Sequence, residues 1–440
     1  MTIGIGLMMF PALVVAIFIG FPVAFSLIGV AVIFGYYRFG DALVHQLVAK
    51  VDDVASYYVL AAVPLFIFMG AMLERSGIAV KLFEAIHLWT RRLPGGLAIG
   101  TVLLCVVFAA ASGVIGATES VVGLLAIPVM LKYAYDKGLI SGTICAGGSL
   151  GTIIPPSVVV IILAPVADIS VGDLFVGMLF PGLILAGLFM LYILVRCTIR
   201  PQDGPRLPPD ENDPPLLSKL WLTVTALVPP LVLIFAVLGT IMLGWATPTE
   251  AAAVGAAGTV IMTIIYGNFS LAILQEAMVK TLQVTAMILL ILLGGTMFSG
   301  VFVALGGLSA VQDLMGDAGL SPWTVMIALL LLAFIAGFML DLISIILIII
   351  PIAVELLRAM GVDIVWFCIM FLIMIQTSYL TPPMAPAIFY LRGIAPSDIK
   401  LRDMYRGVIP FIALEFVVLA LVMFFPGLAL WLPAQVFRGF

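Results

Sequence analysis

Charged residues are scarce in this sequence. Asp, Glu, Lys and Arg together make up 10% of the 440 residues, whereas 64% are hydrophobic and the mean hydropathy is +1.31. A soluble domain carries roughly 25% charged residues, so the composition excludes a soluble protein and predicts a polytopic protein that spans the lipid bilayer several times. The net charge of −4 is small, and we expect no nucleic acid among the partners.

Residues that build metal centres or covalent catalytic sites are equally few. The four cysteines are scattered without the spacing of metal ligands, so we expect them to pack in the interior: Cys105, Cys145, Cys197 and Cys368. The two histidines lie far apart in the sequence, and no pair resembles an HExxH motif. A zinc site and a nucleophile–base pair are therefore disfavoured, and we predict that the chain is not an enzyme.

Proline, by contrast, is common, and two Pro-Pro pairs interrupt apolar segments in the two halves of the chain. The first lies in Ser149–Ser157 (SLGTIIPPS) and the second in Thr377–Pro386 (TSYLTPPMAP). Proline removes a backbone donor and clashes with the preceding turn, so each pair breaks its helix and frees carbonyl groups. Because lipid cannot satisfy freed backbone groups, such breaks must be buried in protein or line a polar cavity. Matching breaks in two halves point to the binding site of a secondary transporter.

A polar, proline-rich segment, residues 200–219, divides the chain into halves of almost equal length, 1–199 and 220–440. Pro128 and Pro351, each within a similar apolar stretch, are 223 residues apart (351 minus 128), and the two Pro-Pro pairs are 227 apart (382 minus 155). Offsets this close predict an internal duplication. We expect about ten to twelve membrane segments in total, at about 20 residues each.

Each half contains an amphipathic stretch, Gly40–Tyr58 in the first and Asn268–Gln283 in the second, which suits a helix lying along the membrane interface. An apolar segment with short polar or glycine-rich turns follows, at Pro64–Gly77 and at Leu292–Gly307. We interpret these segments as re-entrant hairpins, which enter the membrane and return. Ordinary spanning helices with short loops are the alternative.

A long helix with a weak point near its middle is expected next in each half, over Val106–Met130 and Leu330–Ile352. Weak points and Pro-Pro breaks can supply cation ligands, because unwound carbonyls bind Na⁺ while half-helix N-termini attract a carboxylate. The candidates are Ser112, Gly113, Gly116–Ser120 and Gly151–Ser157 with Pro155 in the first half, and Gly337–Asp341, Ser378, Thr381 and Met384 in the second. For any single glycine or serine, close helix contact is the simpler interpretation, but the clustering beside two breaks favours a site.

Three acidic residues lie near or within apolar segments. Asp341 and Glu119 each stand in an apolar span, where a charge costs roughly 2.5 kcal/mol or more, so a role in an ion or proton path is the first interpretation. A helix cap is the alternative for both. We favour the functional role for Asp341 and weigh the two equally for Glu119. Glu250, in Thr247–Gly255, is interpreted as the start of a packed helix.

Several motifs together resemble a known family. They are SLGTIIPPS, TPTEAAAVG (Thr247–Gly255), GFMLD (Gly337–Asp341) and LTPPMAPAIFYLRG (Leu380–Gly393). In this combination they resemble the large membrane subunit, the DctM-like component, of tripartite ATP-independent periplasmic (TRAP) transporters, across essentially the whole chain. The resemblance implies an all-α member of the ion transporter superfamily, with inverted repeats, re-entrant hairpins and an elevator-type transport domain on a scaffold.

The resemblance also implies partners and a cofactor. The chain is expected in the bacterial inner membrane as the translocating subunit of a Na⁺-coupled importer of small organic acids. A periplasmic binding protein would deliver the carboxylate, and a small four-helix membrane subunit would brace the scaffold. Carried over residue by residue, the Na⁺ sites fall on Ser112 and Gly113 with the first Pro-Pro loop, which holds Gly151 and Pro155. The second site falls on four residues near the other Pro-Pro pair: Gly337, Ser378, Thr381 and Met384.

This sequence departs from the family pattern at two positions of the expected site. Ser112-Gly113-Val114-Ile115 stands where many relatives have a serine-rich stretch, and Met384-Ala385-Pro386 stands where a glycine-containing turn is expected. Three rivals accompany the TRAP hypothesis. They are a self-contained Na⁺/carboxylate symporter without a binding protein, an intramembrane enzyme, and a passive channel, which the missing filter motifs disfavour.

Overall fold

A computed structural model describes residues 3–112, 116–207, 215–317 and 319–437, and these residues contain helices but no β-strand. The helices of the first half are α1 (Ile3–Leu7), α2 (Met9–Ile19), α3 (Val23–Phe39), α4 (Leu43–Ser56), α5 (Ala62–Arg75), α6 (Ile78–Thr90), α7 (Gly96–Ser112), α8 (Ala117–Lys132), α9 (Lys137–Ser149), α10 (Val158–Val166) and α11 (Val171–Ile199). Those of the second half are α12 (Leu216–Ile234), α13 (Thr240–Met242), α14 (Pro248–Ile265), α15 (Leu271–Ala304), α16 (Gly307–Asp317), α17 (Pro322–Ala336), α18 (Leu342–Ala359), α19 (Ile364–Leu380), α20 (Pro386–Ile394), α21 (Leu401–Phe424) and α22 (Gly427–Phe437).

Eight helical segments in the described part of the chain are long and apolar enough to cross a membrane. Five shorter apolar helices accompany them, among them α7, α17 and α19. At 1.5 Å per residue these helices are too short to cross the roughly 30 Å hydrocarbon core as single straight spans. The expected membrane segments are thus divided between full spans and shorter pieces, and the chain is a multi-pass membrane protein.

The two hairpins predicted at Pro64–Gly77 and Leu292–Gly307 are wrong as placed. Helix α5 runs unbroken to Arg75, and α15 runs unbroken to Ala304. The glycines of α15 serve close packing instead of turns: a Cβ on Gly294 would lie 3.0 Å from the Ala24 carbonyl oxygen. Glycine in an apolar helix lets a neighbouring backbone approach closely, and the glycines of α15 have this packing role and do not form a turn.

The helix–turn–helix units lie instead where long interrupted helices were predicted. Val106–Met130 falls on α7 and α8, which are joined by four residues and pack against each other. Leu330–Ile352 falls on α17 and α18, which are also packed side by side and are joined by Gly337–Asp341. Both predicted helices are therefore interrupted where expected. The chain turns back at each interruption and does not continue in the same direction.

The amphipathic stretches differ between the halves. Gly40–Tyr58 forms a 3₁₀ turn and α4, a helix with mostly exposed residues, whereas Asn268–Gln283 is the beginning of the 34-residue helix α15. The prediction of an interface helix in the second half is therefore wrong. The spacing of the charges correctly predicted a helix. It contains no sign that the next apolar segment continues the same helix.

The helices form two groups that pack more within themselves than with each other. The first helix group contains α2–α6 and α12–α15, with α3 against α15 and α5 against both α14 and α15. The second helix group contains α7–α11 and α17–α22, with α9 against α21 and α19 against α17 and α21. Each half of the chain contributes its early helices to the first group and its late helices to the second.

Ion pairs lie within these groups. In the first group, Lys280 of α15 donates to Glu74 of α5 at 2.7 Å, and Arg75 lies 3.3 Å from Glu276. In the second group, Arg196 of α11 lies 2.8 Å from both Asp136 and Asp203. Asp136 is the N-cap of α9, so Arg196 fixes the start of that helix to the end of α11.

The polar segment between the halves is ordered where the structure describes it. The Gly204 carbonyl accepts from the Gly95 amide at 3.0 Å, and the Leu207 amide donates to the Arg91 carbonyl at 3.0 Å. Helix α12 begins at Leu216, inside the predicted linker of residues 200–219. Residues 200–207 therefore pack against the turn between α6 and α7.

The interpretation of Glu250 as a helix start is confirmed. Glu250 and Thr247 form a capping box at the beginning of α14, in which each side chain accepts a hydrogen bond from the other residue's amide. Pro248 occupies the first helical position, where its missing N–H costs nothing.

Candidate functional site

The first Pro-Pro pair breaks its helix inside the protein, as predicted. Helix α9 ends at Ser149, a 3₁₀ turn covers Leu150–Thr152, and α10 begins at Val158. The Pro155-Pro156 peptide is cis, and every residue of the break is buried. Protein therefore surrounds the freed backbone groups on all sides, which is what a break at membrane depth requires.

Two of the predicted ligands, Gly151 and Pro155, lie in this first loop. The loop also holds an oxygen without a partner, because the fully buried Ser157 hydroxyl has no hydrogen bond among the described residues. A buried hydroxyl without a partner is costly unless something else contacts it. Of the other predicted ligands in this half, Ser112 is the last residue of α7, and Gly113 lies outside the described residues.

The second Pro-Pro pair ends α19 in the same way. The Pro382-Pro383 peptide is cis, and α20 begins at Pro386. Thr381, the residue after α19, donates its hydroxyl proton to the Thr377 carbonyl at 2.6 Å. Its oxygen lone pairs therefore remain available as acceptors. Met384 is also in this loop, with 47% of its surface exposed.

Ala385 takes the place of the glycine expected in this turn. Its φ of 42° is in the left-handed region, which an alanine adopts only at a cost. The turn therefore keeps the conformation that glycine would favour although the residue is different. The departure from the family pattern changes the side chain here without removing the turn.

The turn between α17 and α18 contacts the end of α19. A Cβ on Gly337 would overlap the Ser378 hydroxyl, so only glycine permits this approach. Ser378 donates its own proton to the Ile375 carbonyl at 2.8 Å. Asp341 is exposed and caps α18, accepting from the amides of Ile343 at 3.1 Å and Ser344 at 3.2 Å.

A cavity of about 240 Å³ lies where these parts meet. Both halves line it: Val158 and Val159 at the start of α10, together with three predicted residues of the second half, Gly337, Asp341 and Ser378. The aromatic residues Tyr379 and Tyr390 complete its wall. The structure thus brings these three together in one cavity, while Gly151, Pro155, Thr381 and Met384 lie in the loops that flank it.

Glu119 is fully buried at the beginning of α8. Its Oε2 atom accepts a hydrogen bond from the Tyr379 hydroxyl at 3.2 Å, and its Oε1 atom has no partner among the described residues. A Cβ on Gly148 would overlap the Glu119 side chain, so the glycine makes the space that this carboxyl occupies. Glu119 therefore joins the first turn of α8 to the last turn of α19, beside the cavity.

Sequence reasoning missed a second buried acid and its partner. Glu415 of α21 is fully buried, and its Oε1 atom accepts from Gln376 Nε2 at 3.0 Å. Gln376 also accepts from the Thr152 hydroxyl at 2.8 Å and donates to Ser149 Oγ at 3.1 Å. The signal for Glu415 was present, since it stands in an apolar stretch like Glu119. Gln376 is uncharged, and nothing in its position five residues before Thr381 indicated a functional role.

The family model for the tripartite ATP-independent periplasmic transporter, DctM component, matches residues 10–428. The chain belongs to this family. Among its relatives, the C4-dicarboxylate TRAP transporter large permease protein DctM of Pseudomonas aeruginosa is 29% identical over 397 residues, which cover 90% of this chain and 91% of that one. The isethionate TRAP transporter permease protein DctMQ of Oleidesulfovibrio alaskensis is 28% identical over 418 residues, 94% of this chain and 64% of the longer relative.

Solved structures agree on the fold of this DctM-family chain. The Alcanivorax borkumensis YdaH transporter superposes with a TM-score of 0.68 at 13% sequence identity, covering 92% of this chain and 98% of that one. At this identity the likeness concerns the fold alone. The DctM-family chain is thus an all-helical transporter permease of the inner membrane and not an enzyme. Large permeases of the family work with a small membrane subunit and a periplasmic binding protein.

Proposed function

We propose that the chain is the translocating subunit of a Na⁺-coupled importer of small organic acids. The observation that carries this proposal is the cavity between the two broken helices, which both halves line. The residues that we propose as cation ligands lie in or beside it, together with the N-termini of half-helices, and such an arrangement suits the joint binding of a cation and an anion. The cargo is a small carboxylate that a periplasmic binding protein delivers, by analogy with the C4-dicarboxylate relatives.

The residues at the two breaks fit Na⁺, which, as a hard cation, prefers oxygen ligands. In the second half, the Ser378 and Thr381 hydroxyls give their protons to their own helix and keep acceptor lone pairs. Gly337 lies against Ser378, Met384 follows the Pro-Pro pair, and Asp341 adds a negative charge at the rim. We propose this set as one Na⁺ site. Bound Na⁺ would supply positive charge beside the cavity.

The proposed site of the first half combines Ser112 and Gly113 with Gly151 and Pro155 of the first loop. The buried Ser157 hydroxyl supports it, because an oxygen without a partner at this depth is stabilised by a bound cation. The set contains no charged side chain, so carbonyl and hydroxyl oxygens would be the ligands.

The substrate carboxylate has a natural place at the beginning of α10. No side chain caps this helix, and its first two residues, Val158 and Val159, line the cavity. Free amides and the positive end of the helix dipole attract an anion. Tyr390, which is half exposed and also lines the cavity, offers its hydroxyl for a second polar contact.

We further propose that residues 1–199 and 220–440 are inverted repeats and that the second helix group moves as an elevator against the first. Ion pairs within each group support this division, as does the second cavity between them, of about 560 Å³, lined by α4, α10, α15 and α18. A small four-helix membrane subunit would brace the first group. The self-contained symporter remains a rival, which family membership disfavours.

Uptake into proteoliposomes tests the function. The chain and its small membrane subunit are reconstituted, and labelled carboxylates are offered with and without a Na⁺ gradient and the binding protein. We expect uptake only when both are present. Uptake that needs Na⁺ but no binding protein would establish the self-contained symporter, and uptake driven equally well by a K⁺ gradient would overturn Na⁺ coupling.

A further inference from the structure

The amide of Gln376 holds together the two broken helices. It lies in α19, one turn before the second Pro-Pro loop, and reaches the first loop through Thr152 and Ser149. All three residues are fully buried. The contacts are therefore protected from water and lipid, where hydrogen bonds are both stronger and more costly to break.

The orientation of this amide follows from its neighbours. Glu415 Oε1 lies 3.0 Å from the amide nitrogen and accepts a hydrogen bond from it, so the NH₂ group faces Glu415. The carbonyl oxygen then lies 2.8 Å from the Thr152 hydroxyl, whose one proton is shared between Gln376 and the Ser149 carbonyl. Ser149 receives the second N–H and gives its own proton to the Ala146 carbonyl at 2.8 Å. Each polar atom of Gln376 thus has a defined partner.

Thr152 and Gln376 stand next to the residues that we propose as cation ligands. Thr152 follows Gly151 directly, and Gln376 precedes Ser378 by two residues in the same helix. A change in the first loop therefore moves the hydroxyl that holds α19 at its last turns. These hydrogen bonds are sufficient for a conformational change in one loop to affect the conformation of the other.

We propose that Gln376 is a positioning residue that couples the two Na⁺ sites, so that cation binding at one loop raises the affinity of the other. This inference rests on the function proposed above. Each cation orders its own loop, and the hydrogen bonds through Gln376 make the ordered form of one loop favour the ordered form of the second. Coupling of this kind is reciprocal and gives a steep Na⁺ dependence, with a Hill coefficient up to the number of sites.

The sharpest test is Thr152→Val, which removes the hydroxyl that contacts the carbonyl oxygen of Gln376 and leaves the contacts of its NH₂ group with Ser149 and Glu415 in place. A second variant, Gln376→Leu with Glu415→Leu, removes the whole connection without leaving a buried acidic group that has lost its partner. Thr101→Val is the matched control, because this equally buried hydroxyl donates only to the Leu97 carbonyl of its own helix. For each, Na⁺ binding to the purified protein is titrated by calorimetry, because uptake that needs two ions is steep even when the sites are independent. Thermal unfolding without Na⁺ shows that the protein is folded, and uptake at high Na⁺ is measured separately.

The expected result is a Hill coefficient well above 1 for the wild type and for Thr101→Val. In Thr152→Val and in the double variant it should fall towards 1, with half-saturating Na⁺ raised roughly fivefold or more and maximal uptake retained at high Na⁺. A merely structural role would lower maximal uptake and the unfolding temperature without changing the steepness.

Two results overturn the inference while leaving Na⁺ coupling intact. One is a wild type that depends on Na⁺ with a Hill coefficient of 1. The other is a steep wild type whose steepness survives in both variants. Uptake that does not depend on Na⁺ at all overturns the proposed function itself, and the inference with it.

Discussion

At the scale of single residues, Asp341 shows how a local role and a functional one can coincide. The sequence marked it as a charge in an apolar span. The structure shows an exposed helix cap at the rim of the cavity, with hydrogen bonds from the amides of Ile343 and Ser344. Capping explains why the carboxylate is tolerated there, since the N-terminus of α18 stabilises negative charge. The Ser344 hydroxyl donates to the other carboxylate oxygen, so about one acceptor position of Asp341 is left for a cation.

Substitution separates the two roles of Asp341. Asp341→Asn keeps a capping oxygen but removes the charge, so stability should change by less than about 0.5 kcal/mol while half-saturating Na⁺ rises severalfold. Asp341→Ala should cost about 0.5–2 kcal/mol in stability as well. Thermal unfolding and a Na⁺ titration of uptake measure the two effects.

Asp363 provides the control for this comparison. It caps α19 in the same manner, accepting from the Trp366 amide at 3.0 Å, and it does not line the cavity. Asp363→Asn should leave the Na⁺ dependence unchanged. If Asp341→Asn behaves the same way, Asp341 is only a cap.

At the scale of elements, the sequence predicted positions of interruption better than their geometry. Both Pro-Pro breaks are where proline chemistry requires them, because a missing donor acts within one turn. Whether the chain continues or turns back after a weak point depends on packing partners far away in the sequence. The reversals between α7 and α8 and between α17 and α18 therefore could not be distinguished from kinks, and Gly294 falsely indicated a turn.

Two helices of the second group cross at glycines. A Cβ on Gly142 of α9 would overlap the Gly407 carbonyl of α21, and one on Gly407 would overlap the Gly138 carbonyl. Gly142→Ala should therefore push α9 from α21 and destabilise the protein by about 1–3 kcal/mol. Gly187→Ala in α11, where nothing lies within 4 Å, should be neutral or slightly stabilising. Equal thermal unfolding of the two variants would contradict this view of the crossing.

At the scale of the whole molecule, the division into two helix groups was implied by the family resemblance and not by any local pattern. Composition decides the membrane class, because charge content is a sum over all residues. The membership of a helix in one group or the other depends on contacts between residues hundreds of positions apart, such as Gln376 with Thr152. A single sequence contains no direct record of such contacts.

A cross-link tests movement between the groups. A Cβ on Gly295 of α15 would lie 2.6 Å from Leu347 Cβ of α18, so cysteines at these positions need only a small shift to form a disulfide. If the second group moves as a unit, oxidation of Gly295→Cys/Leu347→Cys should abolish uptake and reduction should restore it. Uptake assays before and after oxidation provide the measurement.

The matched cross-link stays inside the second group. Gly147→Cys places a thiol beside the native Cys105, with 3.1 Å between the Cβ atoms. Oxidation of this variant should leave uptake in place, because α7 and α9 would move together. Undiminished uptake by the fully oxidised α15–α18 pair would argue against an elevator.

Every residue of α19 from Ile364 to Leu380 is buried. Most transmembrane helices turn one side to the acyl chains, where one apolar residue can replace another during evolution. Substitutions therefore concentrate on that lipid-facing side. Helix α19 has no such side. Its residues should change together or not at all, and descendants of this gene that acquire a new cargo are expected to change the cavity residues of α10, α15 and α18 before those of α19.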